Sequence, residues 1–510
     1  MGLFSTSLGA ILAGVRGTSA MLQTATPGLV TQGTAAAGLV GQFPWGPHTT
    51  TGEESARVEI AGGADGIPDF YKTFAPAGSD RTATGVLAFQ AASWPLIYIV
   101  RILGTTAAKA TSTLIDSGGP TNIVTVTALY KGLLGNSLSA VVSDPTDADA
   151  NHFKLTVTLT GASGTTTEVY DNLNYSAVGP HSTPDFTTAV LIGAITSLAN
   201  GRPTNGTFTF TGGLDGTINS TAYIGTPGSP DVGISLLEGE PKIRAVVSDD
   251  CGSSLRAAVN AGLIAHAQLL QDRIACCNAD SGQTVAQTRA AKAALTAAKE
   301  ACFVGPWAYI ADTVTGAERL VPPGVFIASL ITQWPESTAI SNRSAETATM
   351  LSNIRRLQAD FSSSRATNTA LGVMTLYRAD SQFFLESDPT MYYSTDTNLG
   401  DLKVQRVTVG IALLFLAKFQ RFTDYPNIQT FADVIYAAWR AELQNLENAS
   451  LTTAALTSFF IEDFSTVHPF QATTSDERAA GLLKFPTVVR VGSSISHMVL
   501  FLQSSKTELG

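Results

Sequence analysis

The stretch 243-IRAVVSDDCGSSLRAAVNAGLIAHAQLLQDRIACC-277 decides the fold. Ile243 to Val247 is an apolar run of strand length, Ser253 to about Leu270 reads as a helix, and Arg273 to Cys277 is a second apolar run. A helix from about Thr284 to Ala301 and a strand from Trp307 to Ala311 continue the pattern. Strands alternating with helices of this length predict a parallel sheet with crossover helices on its faces. Text of the same kind lies upstream. Residues 84 to 103, TGVLAFQAASWPLIYIVRIL, read as a helix broken at Trp94-Pro95 and then a strand, Leu96 to Leu103, apolar enough to be buried on both faces. Gly38 to Pro47, GLVGQFPWGP, is a short apolar strand ended by a Pro and Gly turn.

Between these two α/β blocks the texture changes. From about residue 110 to 222 the chain is rich in Thr, Ser, Asn and Gly, and Phe153, Leu155, Val157 and Leu159 alternate with polar residues in FKLTVTLTG. That period of two marks half-buried strands, and GASGTT after it predicts a hairpin. A β-rich domain inserted into an α/β domain is the simplest reading. Residues 401 to 422 place Val404, Val407, Ile411 and Leu414 at helical spacing, Asp424 to Asn427 stops that helix, and a second helix runs from about Gln429 to Leu446.

Charged residues make up 14% of the 510-residue chain, against about 25% in ordinary soluble domains, so small neutral side chains must cover much of the surface. Interspersed charge is what usually keeps monomers apart, and its scarcity points to a secreted or weakly charged enzyme, or to a subunit covered by its neighbours. A net charge of -10 with no basic run argues against direct nucleic-acid binding. The densest apolar window, Gly410 to Ala417, is far too short to span a membrane. Cys251, Cys276, Cys277 and Cys302 have neither zinc nor CxxC spacing, and buried free thiols are expected.

The carboxyl ends of parallel strands are where a site should lie. The sequence has no phosphate loop, GxGxxG, HExxH or GxSxG there. Asp249, Asp250 and Asp312 follow strands and could cluster for metal or acid-base work, but such residues are more often caps or solvated turns. His266, on AGLIAHAQLL, reads as a core or surface histidine rather than a ligand. No catalytic residue, cofactor or metal is expected.

The two ends are apolar. Arg16 is the only charge in the first 47 residues. It follows the apolar stretch Leu8 to Val15, the reverse of a secretory signal. Met1 to Thr6 matches a myristoylation pattern without a second membrane signal. Ser19 in Gly17-Thr18-Ser19-Ala20 precedes every histidine from His48 on, so the Asp, His, Ser order of a subtilisin-like triad is impossible. FPTVVRVGSSISHMVLFLQ near the other end is strand-like, and an unpaired apolar strand is a template for strand addition. Both ends read as adhesive arms.

Taken in order, several short motifs resemble the contractile tail sheath proteins of bacteriophages and of phage-tail-like injection systems. These are Pro27-Gly28-Leu29, Gly38-Leu39-Val40-Gly41 to Gly46-Pro47, the Val86 to Arg101 segment, Lys131 to Leu138 (KGLLGNSL), Gly212 to Gly216 (GGLDG) and Pro426-Asn427. Tyr425 stands where that family usually has an acid, and its Arg-rich start of the long helix is reduced to Arg406.

The resemblance implies a structural, non-enzymatic virion protein: an α/β core, subtilisin-like but catalytically empty, with an inserted β-rich domain and an α+β C-terminal domain completed by strands from neighbouring subunits. The implied segments are an N-terminal connector arm (1–28), the core (29–109 and 223–400), the outer β-domain (110–222), a tube-facing domain (401–485) and a C-terminal connector (486–510). Assembly contacts are expected at Leu3, Leu8, Ile11, Leu12, Val15, Leu29, Val30, Val488, Val489, Val491, Val499 and Leu500, and tube-facing ones at Lys403, Arg406 and Lys418. The implied partners are further copies in stacked hexameric rings, the tail tube protein, and baseplate and neck proteins, in a virion tail assembled in the host bacterial cytoplasm. Another self-assembling virion protein, capsid or tube, or a secreted hydrolase are the alternatives.

Overall fold

A computed structural model describes residues 35–48, 57–61, 66–79, 96–116, 121–174, 188–197, 202–228, 232–311, 317–334, 354–379, 382–397, 399–419, 429–450, 461–475 and 487–491, with single residues 184, 186, 340, 341, 351 and 485 between them. The chain opens with β1 (Ala36–Gly41), β2 (Arg57–Ala61), α1 (Gly66–Phe74) and β3 (Leu96–Arg101). A run of strands follows: β4 (Lys109–Ile115), β5 (Asn122–Lys131), β6 (Leu138–Ser143), β7 (Phe153–Gly161), β8 (Gly164–Leu173), β9 (Ile192–Ser197) and β10 (Gly206–Thr209). Alternating text then gives α2 (Ser220–Ile224), β11 (Ile243–Ser248), α3 (Ser253–Leu270), β12 (Ile274–Asn278), α4 (Val285–Ala293) and β13 (Ala301–Gly305). After these come β14 (Ala308–Ala311), β15 (Glu318–Val321), α5 (Gly324–Gln333), β16 (Ile354–Leu357), α6 (Arg365–Ala370), β17 (Met374–Ala379) and β18 (Gln382–Leu385). The C-terminal part has α7 (Leu402–Phe419), α8 (Gln429–Ser450), β19 (Ile461–Thr466), α9 (Pro469–Ala472) and β20 (Thr487–Val491).

The protein is a mixed α/β, multisheet, multidomain molecule. Its largest sheet has eight strands in the order β18-β17-β13-β12-β11-β1-β3-β2. The six inner strands are parallel, while β2 and β18 pair antiparallel at the two edges. Successive residues of each inner strand face opposite sides, so a continuous apolar run fills two cores at once. Ala37, Leu39, Ala245, Val247, Ile274, Cys276 and Cys302 pack with α1 and α5. Ala36, Val40, Val246, Ala275, Cys277 and Phe303 pack with α2 and α3 on the other face.

One strand was not indicated by the sequence. The helix expected to reach Ala301 ends at Ala293, and Ala301–Gly305, unassigned beyond its first residue, is β13. Its ladder with β12, in which Ala275 N donates to Glu300 O at 2.8 Å and Cys276 lies opposite Cys302, draws this short run into the sheet. The expected strand at Trp307 to Ala311 is β14, which belongs to a separate three-stranded sheet, β15-β14-β16. The helix expected upstream of Trp94 lies outside the described residues.

Strands β4 to β10 form two further sheets, β4-β5-β9 and β10-β6-β7-β8, that share one core. The alternation read in FKLTVTLTG is realised, with Phe153, Leu155, Val157 and Leu159 fully buried. The chain enters and leaves this β-unit side by side: Gly104 N donates to Asp215 O at 2.8 Å, and Ala108 and Leu214 exchange both backbone bonds. A Cβ on Gly104 would lie 2.4 Å from Thr217 N, so only glycine permits this approach.

Candidate functional site

The chain order reverses between β1 and β11, which is where a ligand crevice opens in open α/β sheets. Here it is closed. Asp249 is 4% exposed, and its N–H donates to Val40 O at 2.8 Å across the strand ends. Its Oδ1 accepts from Asp250 N, and Asp250 accepts from Gly252 N and from Arg256 at 2.7 Å. Arg256 is buried, lies 3.5 Å from Asp280 and sits over the Trp307 ring at 5.2 Å. One guanidinium thus contacts both Asp250 and Asp280, while burial pushes the Asp280 carboxyl up against that pull. Cys251 beside them is pushed up to about 11 by burial, so it is not an activated thiolate. The expected Asp249/Asp250 pair is a capped turn, and Asp312 lies outside the described residues. His266 is buried on α3, accepts from Arg273 at 3.3 Å and is held down to about 3 by burial and then by that cation. The four cysteines are free and buried. Among the described residues no three His, Cys, Asp or Glu side chains are grouped to hold a metal ion, and no helix is long and apolar enough to cross a membrane.

The polar organisation lies instead where the eight-stranded sheet meets the β-unit. Arg101, the last residue of β3, is 1% exposed. Its guanidinium donates to Phe43 O at 2.7 Å, Gly46 O and Lys131 O at 2.8 Å, and Pro44 O at 3.0 Å. It therefore ties the turn after β1 to the end of β5. Trp45, on the same turn, belongs to the core of the β-unit and donates from Nε1 to Val190 O at 2.7 Å. The segment around Val190 is held in turn by Glu168, whose carboxylate accepts the backbone N–H groups of Val190, Leu191 and Ile192.

The motifs KGLLGNSL and GGLDG, separate in sequence, close on each other here. Asn136 Nδ2 donates to Gly213 O at 2.9 Å while Gly213 N donates to Asn136 Oδ1 at 2.8 Å, a reciprocal pair only a side-chain amide can make. Asp215 Oδ1 accepts from Leu133 N at 2.8 Å. Gly132 has φ 127°, and a Cβ there would meet Arg101 Nη2 at 2.6 Å and Asp215 Oδ1 at 2.8 Å. A second weld lies at the β7–β8 hairpin tip. Ser163 Oγ accepts from Gly78 N and donates to Ser79 O, and Thr166 donates to Ala77 O.

The C-terminal helices form their own core. Val407, Ile411, Leu414 and Phe415 of α7 pack on Ile435, Trp439 and Leu443 of α8, with the Phe415 and Trp439 rings 4.9 Å apart, edge to face. Strands β19 and β20 pair antiparallel, Phe464 opposite Val489 and Ser465 opposite Val488. Trp439 Nε1 donates to Thr487 at 3.0 Å, and Tyr436 to Thr466 O at 3.2 Å, fixing this ribbon on α8. This sheet has only these two strands among the described residues.

Of the expected assembly residues, Val488, Val489 and Val491 lie on β20, paired within the chain. Leu3, Leu8, Ile11, Leu12, Val15, Leu29, Val30, Val499 and Leu500 lie outside the described residues. Lys403 sits half-buried in the first turn of α7; Lys418 is on α7, its side chain outside the described residues. Arg406 is 4% exposed and donates to Ile331 O and Trp334 O at the end of α5, so its charge is committed inside the chain.

A closed crevice, a welded β-unit and a two-stranded terminal ribbon define a multidomain molecule of several sheets. Among solved structures with this fold are tail sheath proteins. A sheath tail protein of Desulfitobacterium hafniense has a TM-score of 0.59 at 14% identity, over 86% of this chain and 91% of that one. A sheath tail protein of Listeria innocua has a TM-score of 0.54 at 14% identity, over 90% and 95%. A chain from the 6-fold symmetrised baseplate of the anti-feeding prophage has 0.52 at 12% identity, over 94% and 95%. No family model and no curated protein matches the sequence. What is shared is the fold, which extends over most of the chain.

Proposed function

We propose that this chain is a contractile tail sheath subunit, a structural protein of a phage tail or tail-like particle. In this reading copies polymerise as stacked six-fold rings around a tail tube and contract to drive the tube through a bacterial envelope. The fold shared with sheath tail proteins over 86–90% of this chain carries the reading.

The two-stranded ribbon β19–β20 supports the assembly mode. In this reading the ribbon receives strands from the apolar arms of neighbouring copies, residues 1–28 and the part of 486–510 beyond β20, with main-chain bonds that persist when the cores rotate. Residues 401–485 then face the tube, with Lys403 and Lys418 offering positive charge, and the β-unit within 110–222 faces outward. The α/β core, 29–109 with 223–400, is subtilisin-like without a protease site. The tube protein, baseplate and neck proteins are the partners. Energy for contraction is stored as a difference between two packings of the same subunits. A surface with 14% charge lets those packings slide past one another with little repulsion.

The purified protein should form long hollow cylinders by negative-stain microscopy. Removing residues 1–20 or 492–510 should abolish them while near-UV circular dichroism stays native. Stable monomers over a wide concentration range would refute the sheath reading, and unchanged cylinders from the truncated chains would refute the arms.

A further inference from the structure

Where β18 ends and α7 begins, two acids and one base meet out of solvent. Asp388 is 7% exposed; its Oδ1 accepts from Ser341 at 3.0 Å and its Oδ2 has no hydrogen-bond partner. Its carbonyl accepts from Leu402 N at 3.0 Å, and Pro389 bridges to Asp401, so the strand end and the helix start are directly joined. Asp401 is 8% exposed and accepts from Lys403 N at 2.8 Å, capping α7 with a charge that the helix end favours. Among the described residues, the charged groups acting on Asp388 are Asp401 and Arg406, while Ile340 and Ser341, beyond the C-terminus of α5, contribute hydrogen bonds. Arg406 spends donors on the carbonyls of Ile331 and Trp334. Two carboxyls brought together out of solvent disfavour a second negative charge, and the unpaired Oδ2 of Asp388 is the place for a proton.

We propose that Asp388 binds a proton beside the cap Asp401, and that this proton fastens α7 to the eight-stranded sheet, making the seam between core and C-terminal helices tighten on mild acidification. The idea goes beyond the sheath reading and does not depend on it, because the seam lies within one chain. Burial and then the neighbouring Asp401 push the Asp388 carboxyl up to about 6. The folded seam therefore holds a proton that the opened seam releases, and the fastening is lost as pH rises through that value. In a sheath, it would set how readily the C-terminal unit swings from the core.

Hydrogen exchange of the α7 amides in the full chain, corrected for intrinsic rate, tests this on the unassembled protein. Protection should fall about tenfold between pH 5 and pH 7.5, given a carboxyl at about 6 when closed and near its ordinary value when open. In Asp388→Asn it should stay flat. Asp401→Asn keeps a good cap but removes the like charge, so the midpoint should move to lower pH; it decides the matter where Asp388→Asn fails to fold. Unchanged pH dependence in either folded variant, or none in the unaltered chain, would overturn the proposal.

Discussion

Replacing Arg101 with methionine keeps an unbranched apolar stem and removes the fork that holds the β-unit to the main sheet. Four carbonyls, those of Phe43, Pro44, Gly46 and Lys131, then lose a donor at 2.7–3.0 Å in a site with 1% exposure. A buried acceptor left without a partner costs ~1–3 kcal/mol, and bonds to a charged group are at the upper end. Taking the low end for each carbonyl, because some will find water and a cation no longer has to be desolvated, the expected loss is about 4 kcal/mol. At ~2–4 °C per kcal/mol for a unit of 150–250 residues, the first transition should fall by about 10 °C. Scanning calorimetry reads the shift. Near-ultraviolet circular dichroism identifies the unit that melts, since Trp45 sits in the β-unit core. Arg101→Lys should recover only part of the loss, because an ammonium is a point charge with three donors and no planar fork. A methionine variant within about 2 °C of the unaltered chain would show that the carbonyls are satisfied otherwise, and the junction argument would fail.

Two further outcomes are expected. Asn136→Leu removes both halves of the reciprocal pair with Gly213 and should cost about 2–3 kcal/mol in urea unfolding, with Asn136→Asp intermediate because it keeps the acceptor alone. His266 is held down to about 3 while an unfolded imidazole titrates near its ordinary value, so the unfolded chain binds more protons in between and stability is lost as pH falls through that window. His266→Gln, which can still accept from Arg273, should abolish about 2 kcal/mol of the loss between pH 7 and pH 5, read as the difference in urea midpoints between the two chains.

The central sheet was largely legible because its strands obey one strong rule: the runs LIYIV and IACC are apolar and, apart from half-buried Leu96, fully buried. The outer strands obeyed the other, with FKLTVTLTG alternating in sequence and in burial. Ala301–Gly305 was not read as a strand, since a five-residue run directly after a helical stretch is too short to stand out, although Phe303 and Val304 favour one. The acids expected after the first strand of the alternating stretch do follow β11, but their pairing depends on Arg256, a helical residue whose reach to Asp250 and Asp280 no spacing rule encodes. The junction was half legible. KGLLGNSL and GGLDG stood out as motifs, yet their pairing is a tertiary fact, and Arg101 looked like the end of a strand. An arginine closing an otherwise wholly apolar run is the signal that marked it, because a buried guanidinium must find several acceptors.

The side-by-side passage of Gly104 and Thr217 has a topological consequence. Entry and exit of the β-unit touch, and the eight-stranded sheet draws no strand from between them. The β-unit is therefore a pendant on an uninterrupted core, and a two- or three-residue link spans its base. Lineages of this fold can trade, shrink or enlarge the pendant without rewiring the sheet, and an engineer can graft a foreign domain at the same port.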